Sequence, residues 1–288
     1  MKLKHCVITS GRGFHLKDHD PADGAGIRSD EDATALLRTD IDRLSALQEK
    51  LYAQDEWGVI LIFQAMDAAG KDGAIKHVMS GVNPMGCSVH AFKAPSAEEL
   101  DHDFLWRAAK ALPERGRIGI LNRSYYEETL VVRVHPELLE KQRLPMATRH
   151  VWRERFEDIN GFERYLARNG FVIRKFFLHI SPGEQRRRFL ARLDDPEKNW
   201  KFSMQDVEER RHWREYMACY DEAIRHTATP HAPWIVVPAN DKKRARAIVA
   251  RVVIEALEGL DLSFPPLNAA RKRDLSRARR LLLRAPRF

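Results

Sequence analysis

The sequence predicts an α/β fold, a parallel sheet with helices packed on both of its faces. Three observations carry that expectation. Uninterrupted apolar runs of strand length, above all Val59-Ile60-Leu61-Ile62-Phe63, need shielding on both sides, which a parallel sheet inside a helical shell provides. Such runs alternate along the chain with segments of helical apolar spacing. No Pro-, Gly- or Ser-rich linker divides the body, so strands and helices belong to one unit with an inserted helical segment.

The elements follow in order. Residues 1–31, rich in Gly, Asp and His and without periodicity, read as an extended arm or loop. Residues 32–54 place Ala35, Leu36, Ile41, Leu44, Leu47 and Leu51 on one face of a helix. After strand 59–63 come a Gly-containing turn and a helix over 74–80, then a short strand over 88–92. Ser96 and Glu99 form a capping box for a helix reaching 112. Residues 118–121 make a second buried strand, 149–168 a helix stopped by Gly170, and 171–180 a third strong strand. Ser181-Pro182-Gly183-Glu184 is a sharp helix start: an N-cap, a proline at the first position and an acid at the third. One long helix is expected over 203–226, a last strand over 234–237 and a last helix over 241–258 ahead of Gly259.

Composition bounds the function. With 288 residues, 44% apolar and 31% charged, the chain is neither disordered nor short of core. No apolar run approaches the roughly 20 residues of a membrane helix, and the first residues lack a signal peptide's apolar stretch. No membrane association is expected. Cys6, Cys87 and Cys219 lie far apart, which excludes a disulfide framework or a cysteine-rich zinc module and suits a reducing cytoplasm. The net charge of +8 suggests nucleic acid until its distribution is read. From Arg271 onward there are eight basic residues and one acid, so residues 1–270 carry only +1. An anion site in the body must come from local arrangement and not from bulk charge.

Three places offer such an arrangement. Strand 59–63 runs into Gln64-Ala65-Met66-Asp67-Ala68-Ala69-Gly70-Lys71-Asp72-Gly73 and then a helix, the context of a phosphate-binding loop. Backbone N–H groups at Ala68, Ala69, Gly70, Asp72 and Gly73 can wrap a phosphate while Lys71 neutralises its oxygens. Ala65 stands where the motif has its first Gly, and Asp72 where it has a hydroxyl residue. The plain alternative is an ordinary strand–helix turn. Asp67 beside a phosphate calls for a metal ion or an activated nucleophile, against an Asx-type turn; the metal role is favoured. Second, strand 118–121 leads into Asn122-Arg123-Ser124-Tyr125-Tyr126-Glu127-Glu128, which emerges at the same sheet end. Arg123 can grip phosphate bidentately and Asn122 or Glu127 can reach a Mg²⁺ shell, unless the segment is a surface Arg–Glu pair. Third, Arg186-Arg187-Arg188-Phe189-Leu190-Ala191-Arg192 precedes Asp194-Asp195-Pro196. Arg188 and Arg192 share a helix face, and the break makes a hinged lid; a solvated charged helix is the alternative.

Taken together, MDAAGKDG (66–73), SGVNPMGC (80–87), FKAPSAEELDHDFLWR (92–107), NRSYYEE (122–128), RRRFLARLDDPEKNWKFS (186–203) and APWIVVPANDKK (232–243) resemble the polyphosphate kinase 2 family over residues 10–262. They match best the branch with NRSYYEE in place of a DRSWYN-type motif. The resemblance implies a P-loop kinase-like, three-layer sandwich similar to thymidylate kinase. Its domain would cover 32–262, with a helical lid at 184–203, an arm at 1–31 and a basic tail at 263–288. It implies Mg²⁺-dependent, reversible phosphoryl transfer from inorganic polyphosphate to AMP and ADP, giving ATP, with guanine nucleotides an open question, and a homodimer or homotetramer. Asp67, Lys71, Arg123 and Arg192 would be catalytic. Lys17, Lys76, Arg133 and Arg188 would help hold the phosphate chain, and Asn122, Tyr126 and Glu127 the nucleotide. Asp67, Asn122 and Glu127 would face the metal, although Asn122 stands where other branches carry Asp. Two other readings stay open: an ATP-dependent nucleotide or small-molecule kinase, and a nucleic-acid-binding P-loop protein using the basic tail. Nucleic acid is not expected, because the body has no zinc finger or RNP sequence.

Overall fold

Six strands form the sheet of the computed structural model, which describes residues 1–145 and 149–284: β1 (Val7–Ile8), β2 (Gly58–Ala65), β3 (Cys87–Ala91), β4 (Ile118–Asn122), β5 (Phe171–His179) and β6 (Trp234–Pro238). Their order is β1-β6-β5-β2-β4-β3, and every pairing is parallel except that of β1 with β6. The central strand β2 pairs Phe63 with Asn122 of β4 on one side and with Phe176 of β5 on the other. The ends of the two neighbours are thereby fixed beside the turn that follows β2.

The longer helices are α1 (Asp30–Gln54), α2 (Lys71–Val78), α3 (Val151–Arg168), α4 (Pro182–Leu193), α5 (Trp213–Thr227), α6 (Lys242–Glu258) and α7 (Ala269–Arg284). The two-residue period of a strand explains how they share the sheet. Val59, Leu61 and Phe63 enter one apolar core with residues of α1, α2 and α6. Ile60 and Ile62 enter a second core with residues of α3 and α5 on the opposite face. A run that is apolar at every position is what a sheet buried on both faces needs. The result is the expected three-layer P-loop kinase-like sandwich. Ser29 caps α1 by accepting from Asp32 N at 3.1 Å, and Ser181 caps α4 by accepting from Glu184 N at 3.1 Å. Gly170, at φ +83, turns the chain out of α3 and into β5.

Three expectations need correction. The segment 1–31 is not simply an arm, because it contributes β1 and buries Leu3, Cys6, Phe14, Leu16 and Ile27. The helix expected to run to 112 is two short pieces, Ala97–Leu100 and Trp106–Lys110, since the Asp103 carboxylate caps Leu105 N at 2.9 Å and restarts the chain. The helix expected over 203–226 is broken by a 3₁₀ turn at Glu209–His212. That turn lets Arg210 reach back to Gln185 Oε1 at 3.1 Å and Pro182 O at 3.3 Å. No helix among the described residues is long and apolar enough to cross a membrane. Arg287 of the basic tail lies outside the described residues.

Candidate active site

The turn after β2 is built for close backbone approach. Gly70 precedes α2 at φ +100, a conformation glycine adopts without a Cβ penalty, and Ala68 is left-handed at φ +60. Beneath the loop lies Arg188 of α4. Its Nη1 donates to Ala69 O (2.7 Å) and Ala68 O (3.2 Å), its Nη2 to Ala239 O (2.6 Å) and Asn240 O (3.1 Å), and its Nε to Glu184 Oε1 (2.6 Å). One buried guanidinium therefore ties the loop, α4 and the end of β6 together. Arg188 also lines the cavity beside the loop, but its donors hold the loop's carbonyls in place.

From β4, the chain enters a second strained residue, Arg123 at φ +63, whose N–H donates to Phe63 O at 2.9 Å. This bond lays Arg123 over the end of β2. Its Nη2 donates to Asp67 Oδ1 at 3.2 Å, and its Nη1 stands 3.8 Å from Glu127 Oε2. Glu127 accepts from Gln64 Nε2 at 2.7 Å, and Asn122 Nδ2 donates to Asp72 Oδ1 at 2.9 Å. The Glu127 carboxylate, and to a lesser extent Asp67, holds the guanidinium's pKa above its ordinary value despite burial. Lys71 donates to Ala65 O at 2.9 Å, and burial pulls its ammonium below the ordinary lysine range against the opposing pull of Asp67.

Two cavities flank this cluster. One, about 680 Å³, is lined by Asp67 to Ala74 and by ten cationic side chains, among them Lys71, Arg123, Arg192, Lys201, Lys242 and Arg246, against three acids. The other, about 590 Å³, is nearly balanced in charge, with Met66, Leu100, Leu130, Val131, Leu138, Tyr216 and Tyr220 in its walls. Both are bordered by Asp67, Lys93, Ala94, Arg123 and Asp206. Arg192 lines the basic cavity, where its Nη1 lies 3.2 Å from Lys201 O and 3.6 Å from Asp206 Oδ2. Burial, and then the neighbouring Asp67, raise the Asp206 carboxyl above its usual range.

The chain belongs to the polyphosphate kinase 2 family. The family model described as "Polyphosphate kinase 2 (PPK2)" matches residues 27–265. The chain is 54% identical over 252 residues to an "ADP-polyphosphate phosphotransferase" of Rhodopseudomonas palustris, covering 86% of this chain and 87% of that protein. It is 45% identical over 271 residues to an "AMP/ADP-polyphosphate phosphotransferase" of Meiothermus ruber, covering 93% and 98%. The crystal structure of polyphosphate kinase 2 from Arthrobacter aurescens superposes with a TM-score of 0.87 at 41% identity, covering 95% of each chain. As a member of this family the protein is a polyphosphate-dependent kinase.

The other sequence-predicted residues divide sharply. Asp67, Ala68, Ala69, Gly70, Lys71, Asp72, Gly73, Asn122, Arg123 and Arg192 all line the basic cavity, and Glu127 lines its neighbour. Tyr126 lines neither cavity. The 3₁₀ turn Tyr125–Thr129 rotates it fully into the core, where its hydroxyl donates to Glu163 at 2.9 Å and accepts from Lys175 at 3.0 Å. Lys17 and Lys76 are exposed outside both cavity linings. Arg133 is also outside them, paired to Glu222 at 2.6 Å. Sequence reasoning missed Lys93, Lys201, Asp206, Lys242 and Arg246. Of these, Lys93, Lys201 and Lys242 lie within the stretches 92–107, 186–203 and 232–243 that resemble the family.

Proposed function

We propose that the chain transfers a terminal phosphoryl group from inorganic polyphosphate in the basic cavity to AMP or ADP in the charge-balanced one, with ATP as the final product and the reverse reaction open. The observation that carries this reading is the pair of cavities of unlike charge, one strongly cationic and one nearly balanced, sharing one wall. Ten cations suit a donor that is charged at every unit, whereas aromatic and aliphatic walls suit a base and ribose. Lys71 and Arg123 stand where the two phosphate ends would meet. There they offset charge on the transferred group and hold donor and acceptor in line.

A general base is not required, because the acceptor is a phosphate oxygen already ionised at neutral pH. Asp67 is better suited to holding Mg²⁺. Among the described residues no three His, Cys, Asp or Glu side chains stand close enough to hold a metal by themselves. That fits Mg²⁺, which commonly takes one or two carboxylates and completes its shell with water and substrate phosphates. Asp67 borders both cavities, while Glu127 is already engaged by Gln64 and Arg123. When bound, Mg²⁺ would supply further neutralisation of phosphate charge. Arg188 holds the loop's shape, and Arg192, on the lid segment, can leave Asp206 for an incoming anion.

The deciding experiment supplies purified protein with Mg²⁺, polyphosphate and either AMP or ADP, with no ATP at the start. ADP and ATP should form, and chelation of the metal should stop their formation. Absence of product from polyphosphate, with phosphorylation only when ATP is the donor, would replace this reading with that of an ATP-dependent kinase.

A further inference from the structure

Residues beyond 265 lie outside the stretch that the family model matches, yet they hold most of the chain's net charge. There the chain forms α7, sixteen residues with no buried side chain. Asn268 caps its start by accepting from Arg271 N at 2.8 Å. The helix carries seven basic residues and one acid, Asp274, and none of the seven is ion-paired among the described residues. At about 100° per residue, Lys272, Arg273, Arg277, Arg279, Arg280 and Arg284 fall on one side. Leu275, Ala278, Leu281 and Leu282 fall on the other. Unscreened cations at three- and four-residue spacing repel one another, so this helix gains stability from any polyanion laid along it.

We propose that α7 is a tether for inorganic polyphosphate, separate from the cavity at Lys71, that holds a distal stretch of a long donor chain while its end is consumed. The proposal rests on polyphosphate being the donor. Charge complementarity favours this occupant. A second copy of the helix packed through the leucine side would place Arg271 and Asp274 in the contact, and one packed through the other side would set six cations against six. A lipid surface would need a continuous apolar face, but Arg271 and Asp274 interrupt the leucine side and Leu283 sits among the arginines. Tethering raises the local concentration of donor ends without touching the chemistry, so it lowers KM for long chains and leaves kcat alone.

The test compares the full-length protein with its full-length R273Q/R277Q/R279Q/R280Q variant. KM for polyphosphate of hundreds of units should rise on the order of tenfold at low salt, with a weaker salt dependence, while KM for a short oligophosphate and kcat stay unchanged. Binding of labelled long-chain polyphosphate without nucleotide should weaken in parallel. Equal KM effects on long and short chains, or none on either, would overturn the proposal. So would a preference of the parent helix for duplex DNA or phosphatidylserine vesicles over polyphosphate. A parent enzyme that binds long polyphosphate through these arginines but transfers nothing from it would refute the donor assignment and leave the binding surface standing.

Discussion

Lys71 and Lys175 are both drawn in from water, Lys71 in part and Lys175 fully, and they end with different sets of partners. Lys175, within β5, is 0% exposed. Its three N–H donors are met by Glu163 Oε2 at 2.6 Å, Thr227 O at 2.8 Å and the Tyr126 hydroxyl at 3.0 Å. Lys71, the first residue of α2, donates to one backbone carbonyl at 2.9 Å and lines a cavity crowded with other cations. Burial lowers the pKa of both. What separates them is the supply of acceptors. A buried cation whose partners are all internal fixes structure, and one whose partners are incomplete is a place for an anion.

Breaking the two sites separately should therefore give opposite phenotypes. Lys71→Met should lower phosphoryl transfer from polyphosphate by about 10²–10³-fold, the scale of losing one charge-stabilising donor. Its urea unfolding midpoint should not fall, since a desolvated ammonium is being removed. Turnover close to that of the parent would take Lys71 out of the reaction. Lys175→Met should act on stability instead. It leaves the Glu163 carboxylate buried without its counter-charge, at a cost of about 3–5 kcal/mol. The folded fraction should still turn over at nearly the parent rate. Adding Glu163→Gln removes the orphaned charge while keeping an acceptor for the Tyr125 and Tyr126 hydroxyls, and should recover roughly half of the loss. If Lys175→Met abolished turnover without changing the midpoint, the division between structural and binding lysines would fail.

The same division explains what the sequence made legible. Asp67, Lys71 and Arg123 could be brought together on paper because they follow β2 and β4, strands marked by unbroken apolar runs, and parallel strands open their ligand crevice at one end. Strand β1 carried no such mark. It has two residues, and its pairing of Val7 with Ile235 joins distant parts of the chain. The burial of Tyr126 is hidden in the sequence, because nearness to Arg123 conceals the 3₁₀ turn that sends the two side chains apart. Arg188 and Arg192 do share a helical face, but only depth in the fold distinguishes the one that grips Ala68 and Ala69 from the one that meets Lys201 and Asp206. Asp206 stands in no local pattern, and it reaches the site only because the chain after α4 returns to the wall shared by the two cavities.

A titration sharpens the comparison, with the smallest expected effect. Because burial holds Lys71 below the ordinary lysine value of 10.5, the ammonium of the free enzyme is lost at lower pH than usual. The alkaline limb of kcat/KM, which reports the free enzyme, should accordingly fall below that value. On the proposed reading, a polyphosphate end in the cavity would supply the missing negative charge and favour the ammonium, so the alkaline limb of kcat should lie higher. Stability moves the other way. The unfolded chain binds the proton more tightly than the folded one, so between the lowered pKa and 10.5 this group makes folding more favourable as pH rises. Activity that declines there while the Lys71 contribution to stability increases is the signature of a cation kept incomplete for its substrate. Two limbs that coincide at 10.5 would show that Lys71 is as solvated as any surface lysine.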